Sequence, residues 1–541
     1  MGLLVVGGHH SSLTGPRIAT RCRDRARTRT PAQSAGGDDL VPKRRWVSAS
    51  QKEHLRSATP TTRGTLSGVG DRDELLGRTA QLAADFLDRL TDRPVWPPVD
   101  LAALREALGG PLPDRGEDPR AVIEALASDA QHGLVGSAGP RYFGFVVGGG
   151  VPAALAADWL ASAWDQNAVL YALSPSAAVV EEVAAAWLID VFGLPEGSSV
   201  GFVTGATMAN FTALAAGRHA VLDRTGWNVE EAGLVGAPPI AVVVGEEAHV
   251  TIFASLQMLG LGRARVHRVA SDEQGRMRAD VVRGTLARID GPTIVCAQAG
   301  NVNTGAFDPI PEIVAAVRER SNAWLHVDGA FGLWAAAVPE LRDRVAGVAE
   351  ADSWTTDAHK WLNVPYDSGI VIVRDAAAHH AAMTLGAAYY VETVGGERDS
   401  YNWVPESSRR ARGFAVYAAL RSLGRAGLAE MIDRCCALAR RMADGLRGAD
   451  GVTILNDVVN QVLVRFEPPG GGDADAFTRA VIVAVQADGT CWLGGTTWHG
   501  MAAMRISVSN WSTTEADADM SVEAILRSAR MTAGAPTVTT A

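Results

Sequence analysis

The sequence predicts an α/β fold: a mostly parallel central sheet with helices on both faces, preceded by an N-terminal helical segment and followed by a small C-terminal α+β domain. Three observations carry this. Short apolar runs at 200–203, 240–244, 265–269, 293–297, 324–327 and 369–373 alternate with helical patterns, the signature of parallel strands joined by covering helices. Upstream, Leu75, Leu76, Leu82, Phe86, Leu87 and Leu90 recur at helical spacing, giving one apolar stripe. Downstream of Arg409 the pattern changes to two long helices, 411–423 and 428–446, then to strands at 461–466 and 503–509 with helices between and after.

Taken in order, residues 1–70 are expected to form a disordered basic arm. Arg21, Arg23, Arg25, Arg27 and Arg29 alternate with small or polar residues, Lys43, Arg44 and Arg45 add a cluster, and no apolar period appears. Between a transit peptide and a start placed too far upstream, the Ala, Gly and Arg bias throughout the chain favours the second. Residues 71–150 are the helical segment. The large α/β domain spans 151–408, with helices at 153–164 and from Pro175 to about Phe192, the latter capped by Ser174. The C-terminal α+β domain takes 409–530, and 531–541 are a disordered tail.

Composition narrows the function classes. With 541 residues, 47% hydrophobic and 20% charged, the chain can bury a large core and has the size of an enzyme. A net charge of -10 argues against nucleic acid as a partner, and no apolar run reaches the roughly 18 residues that span a bilayer. Cys22, Cys296, Cys435, Cys436 and Cys491 show no CxxC spacing, so neither a disulfide framework nor a metal site is expected, and the compartment is expected to be reducing. No repeat of solenoid or propeller period appears.

Three stretches at strand ends fit a single chemical task. In DSWTTDAHKWLNVPYDSG, Lys360 sits between polar residues and the apolar Trp361, Leu362 and Val364. A surface lysine would need no such setting; a desolvated one is a nucleophile in want of an electrophile such as an aldehyde. In TGATMAN, Gly205, Ala206 and Thr207 open a helix after a strand, exposing N–H groups suited to phosphate, although ordinary capping uses the same residues. In WLHVDGA, Asp328 ends a buried strand, as a helix cap or as the partner of a cationic ring nitrogen. Together they describe a site for pyridoxal 5'-phosphate: Lys360 for the Schiff base, Asp328 for the pyridine nitrogen, the helix end for the phosphate. His249, after another strand, could stack on the ring or be merely structural.

DSWTTDAHKWL, HVDGAFG, TGATMANFTAL and EEAHVT together resemble the group II pyridoxal-phosphate decarboxylases, the family of glutamate, aromatic amino-acid, tyrosine and diaminobutyrate decarboxylases. The resemblance covers about 75–528. It implies a fold-type I enzyme and a homodimer with shared active sites. It further implies Lys360 as the cofactor lysine with His359 beside the phosphate, Asp328 as the ring-nitrogen partner, Ala330 as a ring contact and His249 stacked on the ring. Ala206 and Thr207 would hold phosphate, and Asp357 stands where the family has a small polar residue on that side. In NVNTGAFDP, Asn303 would reach the ring oxygen where many members have threonine.

The cofactor alone does not choose the reaction, because the bond that breaks is the one held perpendicular to the ring. Arg505, in a C-terminal strand like the one that supplies a carboxylate-binding arginine in glutamate decarboxylases, is read as the grip on substrate; an exposed strand arginine is the alternative. By the same resemblance Tyr389, with Tyr390 next to it, is read as the loop tyrosine that reprotonates the product, favouring simple decarboxylation. Phe145 and Asn167 are read as substrate contacts, from a wider set that includes Arg141, Gln166, Trp498 and His499. The expectation is a cytoplasmic decarboxylase of an aromatic or nonpolar L-amino acid. Its alternatives are a glutamate-type substrate, an aminotransferase, an aldehyde-forming oxidative decarboxylase, or a catalytically silent cofactor-binding protein. A nicotinamide dehydrogenase is disfavoured because Gly148, Gly149 and Gly150 are followed by Val151 and Pro152 rather than the third fingerprint glycine.

Overall fold

A computed structural model describes residues 69–384 and 397–534. The predicted arm up to residue 68, the tail from 535, and Tyr389 with Tyr390 lie outside the described residues.

Seven strands form the large sheet: β1 (Ser199–Val203), β2 (Ala241–Gly245), β3 (His267–Val269), β4 (Thr293–Gln298), β5 (Ala323–Asp328), β6 (Ser353–Asp357) and β7 (Gly369–Val373). Their order is β1-β7-β6-β5-β4-β2-β3. The pairings among β2 to β6 are parallel, while β7 runs antiparallel to both β6 and β1. The mostly parallel sheet is thus as expected. Burial on both faces explains the continuous Val and Ile runs of β2, β4 and β7. Leu325 and Val327 enter the core on one face. Trp324 enters the core on the other, with the helix Ala206–Asp223.

The sequence reading missed β6. Its residues, Ser-Trp-Thr-Thr-Asp, are polar by composition yet all buried. Hydrogen bonds replace apolar matching there: Ser353 Oγ accepts from the Trp324 indole at 2.9 Å, and Asp357 Oδ1 accepts from the Ala206 amide at 2.7 Å. The predicted strand 265–269 shrinks to β3, whose first two residues are exposed.

The two long helices are present as a continuous run, Gly413–Leu446, broken at Gly424 with φ 60°, where a residue without Cβ takes the left-handed turn cheaply. The second sheet holds β8 (Val452–Val458), β9 (Gln461–Phe466), β10 (Gly494–Trp498) and β11 (Met501–Ser507), in antiparallel order β10-β11-β9-β8. The reading found β9 and β11 only. β10, Gly-Gly-Thr-Thr-Trp, has alternating burial at the sheet edge and lacks the apolar content that signals a strand. In the N-terminal helix Val69–Asp88, Leu76 and Leu87 are exposed although Leu90 just beyond is buried. Among the described residues the predicted apolar stripe is thus only partly covered: Leu75, Leu82 and Phe86 are half-buried.

Candidate active site

The carboxyl ends of β1, β4, β5 and β6 converge on one region, the place where open α/β sheets hold ligands. Lys360 lies in the turn just after β6. Its Nζ is 3.0 Å from Asp357 Oδ2 and its side chain retains 20% exposure; the desolvated lysine of the sequence reading has an ion-pair partner that the reading did not foresee. The same oxygen lies 3.6 Å from His359 Nε2. Asp357 Oδ1 meanwhile receives the Ala206 amide, at the start of the helix Ala206–Asp223. One carboxylate, 2% exposed, therefore ties the lysine, the histidine and the helix end together. His359 Nδ1 accepts from the Ser368 amide at 3.1 Å and Tyr366 stacks on its ring at 4.3 Å. Burial holds His359 below the usual histidine range, against the opposing pull of Asp357.

Close backbone approach shapes this half. A Cβ on Gly369 would lie 2.4 Å from Gly205 Cα, and one on Gly148 would lie 2.1 Å from the Lys360 carbonyl oxygen. Gly148 and Gly149 thus let their loop lie against the lysine turn, where the Gly149 amide donates to Asn363 Oδ1 at 2.7 Å. Gly205 has no side chain to cap the helix, and Thr207 beside it is exposed.

The second half is built around Asp328, buried at the end of β5. Oδ1 accepts from the Ala330 amide at 3.1 Å, a turn-capping contact, while Oδ2 accepts from Asn210 Nδ2 at 3.1 Å. The capping reading of this aspartate finds its contact at Ala330. Asn210 Nδ2 also donates to Thr251 Oγ1 at 3.2 Å, and that hydroxyl is 2.8 Å from His249 Nδ1. His249 caps the helix Val250–Met258. Burial lowers its pKa, with Asp328 and Asp357 opposing and Lys360 and Arg505 reinforcing the shift; those charges mark the histidine as common to both halves.

Arg505 on β11 is 8% exposed and donates through Nη1 to the Val302 carbonyl at 3.0 Å, while Nε has no partner. Burial pushes its guanidinium down to about 10. It is not the exposed strand arginine of the alternative reading.

The remaining candidates have the following partners. The Asn303 side chain accepts from Thr496 Oγ1 at 2.9 Å. Asn167 Oδ1 accepts from the Arg409 amide at 3.1 Å, and Arg141 is held by Asp517 at 3.0 Å. Phe145, with φ 58° and 60% exposure, stacks on Trp492. Asn210, Thr251 and His326 lie inside the TGATMANFTAL, EEAHVT and WLHVDGA stretches, and no role for them was expected from sequence. A polar residue in the middle of an otherwise apolar helix or buried strand was the available signal. Among the described residues there is no cluster able to hold a metal, and no helix is long and apolar enough to cross a membrane.

Comparison with known proteins matches residues 102–467 to the pyridoxal-dependent decarboxylase conserved domain. The chain is 30% identical over 410 residues to L-2,4-diaminobutyrate decarboxylase of Rhizobium meliloti, covering 74% of this chain and 80% of that one. It is 28% identical over 372 residues to aromatic-L-amino-acid decarboxylase of Bacillus atrophaeus, covering 68% and 75% respectively. The crystal structure of Oryza sativa TDC with PLP and tryptamine superposes with a TM-score of 0.80 at 23% identity, over 87% of this chain and 99% of that chain.

Proposed function

Because the chain belongs to the pyridoxal-dependent decarboxylase family, we propose that it decarboxylates an aromatic or otherwise nonpolar L-amino acid to the amine, with Lys360, Asp328, His249 and Arg505 in the working roles. The observation that carries this assignment is the joining of Lys360, His359 and the helix start at Ala206 through Asp357, with Asp328 and His249 linked through Asn210 and Thr251 beside them.

These residues fit pyridoxal phosphate. The helix start at Gly205 and Ala206, with Thr207 and His359, would hold the phosphate, and the bare Gly205 leaves room for it. Lys360 would anchor the cofactor covalently, Asp328 would hold the proton on the ring nitrogen, and His249 and Ala330 would lie against the ring. When bound, the cofactor supplies an electron sink for the pair left by the departing carboxylate. The chain's own residues decide which bond is weakened. The buried Arg505, with a free Nε–H, would grip the substrate carboxylate and set its orientation. Neutral His249 would exclude water from the ring face. Tyr389 is our candidate for returning a proton to the product, and Phe145 with the Trp492 stack for the aromatic wall of the substrate cavity.

Exposed apolar residues on the N-terminal helices, Leu76, Leu87, Leu101, Leu108 and Leu126, support a homodimer with shared sites. Buried, unpaired Cys296, Cys435, Cys436 and Cys491 suit a reducing cytoplasm.

The test is incubation of the protein and Lys360→Ala with a panel of L-amino acids, following the visible cofactor spectrum and release of carbon dioxide, amine and aldehyde. One nonpolar substrate yielding carbon dioxide and its amine supports the proposal. Turnover confined to acidic substrates would overturn the substrate assignment, and aldehyde or keto acid would overturn the reaction.

A further inference from the structure

Trp324, His326 and Asp328 alternate along β5 and so share one face of the sheet, the face packed by the helix that carries Asn210. Ser353 is the register partner of His326 on β6. All of these side chains are buried. Their contacts form a continuous chain: Trp324 Nε1 to Ser353 Oγ at 2.9 Å, Ser353 Oγ to His326 Nδ1 at 2.9 Å, and His326 Nε2 to Asn210 Oδ1 at 2.8 Å. From Asn210 Nδ2 it forks to Asp328 Oδ2 and to Thr251 Oγ1, and from Thr251 it reaches His249 Nδ1.

Histidine tautomers and amide orientations are set by the partners at each end. Both ends here have fixed polarity. An indole nitrogen can only donate and an ionised carboxylate can only accept. Asp328 accepts a hydrogen from Asn210 Nδ2, so Asn210 Oδ1 faces His326 and takes the hydrogen of Nε2, and Nδ1 of the neutral ring then receives the single hydrogen of the Ser353 hydroxyl, which accepts from Trp324. His326 therefore carries its proton on Nε2, and the amide hydrogens of Asn210 face Asp328 and Thr251. The Thr251 hydroxyl then donates to His249 Nδ1, and the Thr251 amide, 3.4 Å from the same nitrogen, points to the same assignment.

We infer that His326 is a positioning residue: through Ser353 and Asn210 it fixes the hydrogen-bond direction of the site, so that Asp328 receives a donor and His249 is held with its proton on Nε2. The inference rests on the proposed role of Asp328 for its link to the cofactor, but not for the hydrogen positions. Reversing any one link would set donor against donor or oxygen against carboxylate in a buried place, which is why a single polar deletion should propagate.

Neutron diffraction from deuterated holoenzyme crystals tests the direction itself: deuterium on Nε2 of His326 and His249, and not on Nδ1, is expected. Deuterium on Nδ1 of His326 would overturn it. Ser353→Ala should weaken cofactor affinity about tenfold, the size of one hydrogen bond to a charged group, with unchanged far-ultraviolet circular dichroism, and Ser353→Thr should restore it. Trp324→Phe, which removes the donor together with the five-membered ring, should act in the same direction. Parental affinity in a folded Ser353→Ala would sink the relay. Parental affinity in Asp328→Asn with the expected deuterium positions would overturn the role of Asp328 instead and leave the relay standing.

Discussion

The lysine half and the aspartate half of the site solve the same problem, placing charge in a buried pocket, by different means. In the lysine half one carboxylate, Asp357, serves three partners within a few residues of chain or at a helix end: Lys360, His359 and the Ala206 amide. In the aspartate half, Asp328 depends on residues far apart in sequence, with Asn210 and His326 separated by 116 positions. The first is local and charge-dense. The second is a neutral, directional network around one charge, and its strength lies in every member being satisfied. The comparison predicts that the two halves break differently.

The largest difference should come from removing each carboxylate's charge. Asp328→Asn is expected to lower kcat about a thousandfold, the upper range for loss of one preorganised electrostatic group. Asp357→Asn keeps an acceptor for the Ala206 amide and should lower it no more than about tenfold, the size of one modest interaction. Steady-state kinetics of the two variants, with cofactor occupancy measured separately, checks this. Equal losses would remove the distinction between the halves.

A second contrast is in pH. Burial pushes His326 down to about 4, from about 6.5 in an unfolded chain. Between these values the unfolded state binds a proton that the folded state refuses, so stability rises with pH across the window and is lost on acidification from 6.5 towards 4. The contribution is roughly 3 kcal/mol at full expression. Buried His379, pushed down to about 3, acts in the same direction, whereas Asp308, pushed up to about 6, acts in the opposite one. The informative measurement is therefore the difference between the parent and His326→Gln, by denaturant unfolding at pH 5 and pH 8. The variant should show the flatter profile; parallel profiles would mean that His326 takes up its proton without cost.

How much of this was legible in the sequence follows the same division. The parallel sheet announced itself through the Val and Ile runs of β2, β4 and β7. The lysine half announced itself because Asp357, His359 and Lys360 are neighbours in the chain. What stayed hidden was structure specified by hydrogen bonding rather than apolar periodicity. β6 is polar and buried, β10 is a Gly and Thr edge strand, and the network around Asp328 needs the pairing of β5 with β6 before Ser353 and His326 can meet. Asn303 and Asn167 show the same limit: each Oδ1 accepts from a partner far away in sequence, Thr496 Oγ1 and the Arg409 amide, that no local pattern announces.

The backbone supplies the third test. At Gly369 an added methyl would press on Gly205 Cα at 2.4 Å, and neither strand end nor helix start can yield without moving the other. Gly369→Ala should cost about 2 kcal/mol of stability, in the range of core overpacking, and should weaken cofactor binding with it, because the same displacement opens the helix start. Thermal unfolding with and without cofactor separates the two effects. Loss of stability with unchanged affinity would detach the Gly205 turn from phosphate binding.

The smallest expected effect is the sharpest check on residue roles in the loop before Asp308. The Asn303 side chain accepts from Thr496 Oγ1 on β10, a neutral contact worth about 1 kcal/mol or less. If that is its whole role, Asn303→Ala should change cofactor affinity and kcat/KM less than about threefold and act slightly on stability alone. A tenfold loss of cofactor affinity at unchanged stability would instead return Asn303 to the ring-oxygen contact expected from sequence. Because the Thr496 contact uses Oδ1 and a ring-oxygen contact would use the Nδ2 hydrogens, both can hold at once, and Asn303 would then join the edge strand β10 to the cofactor.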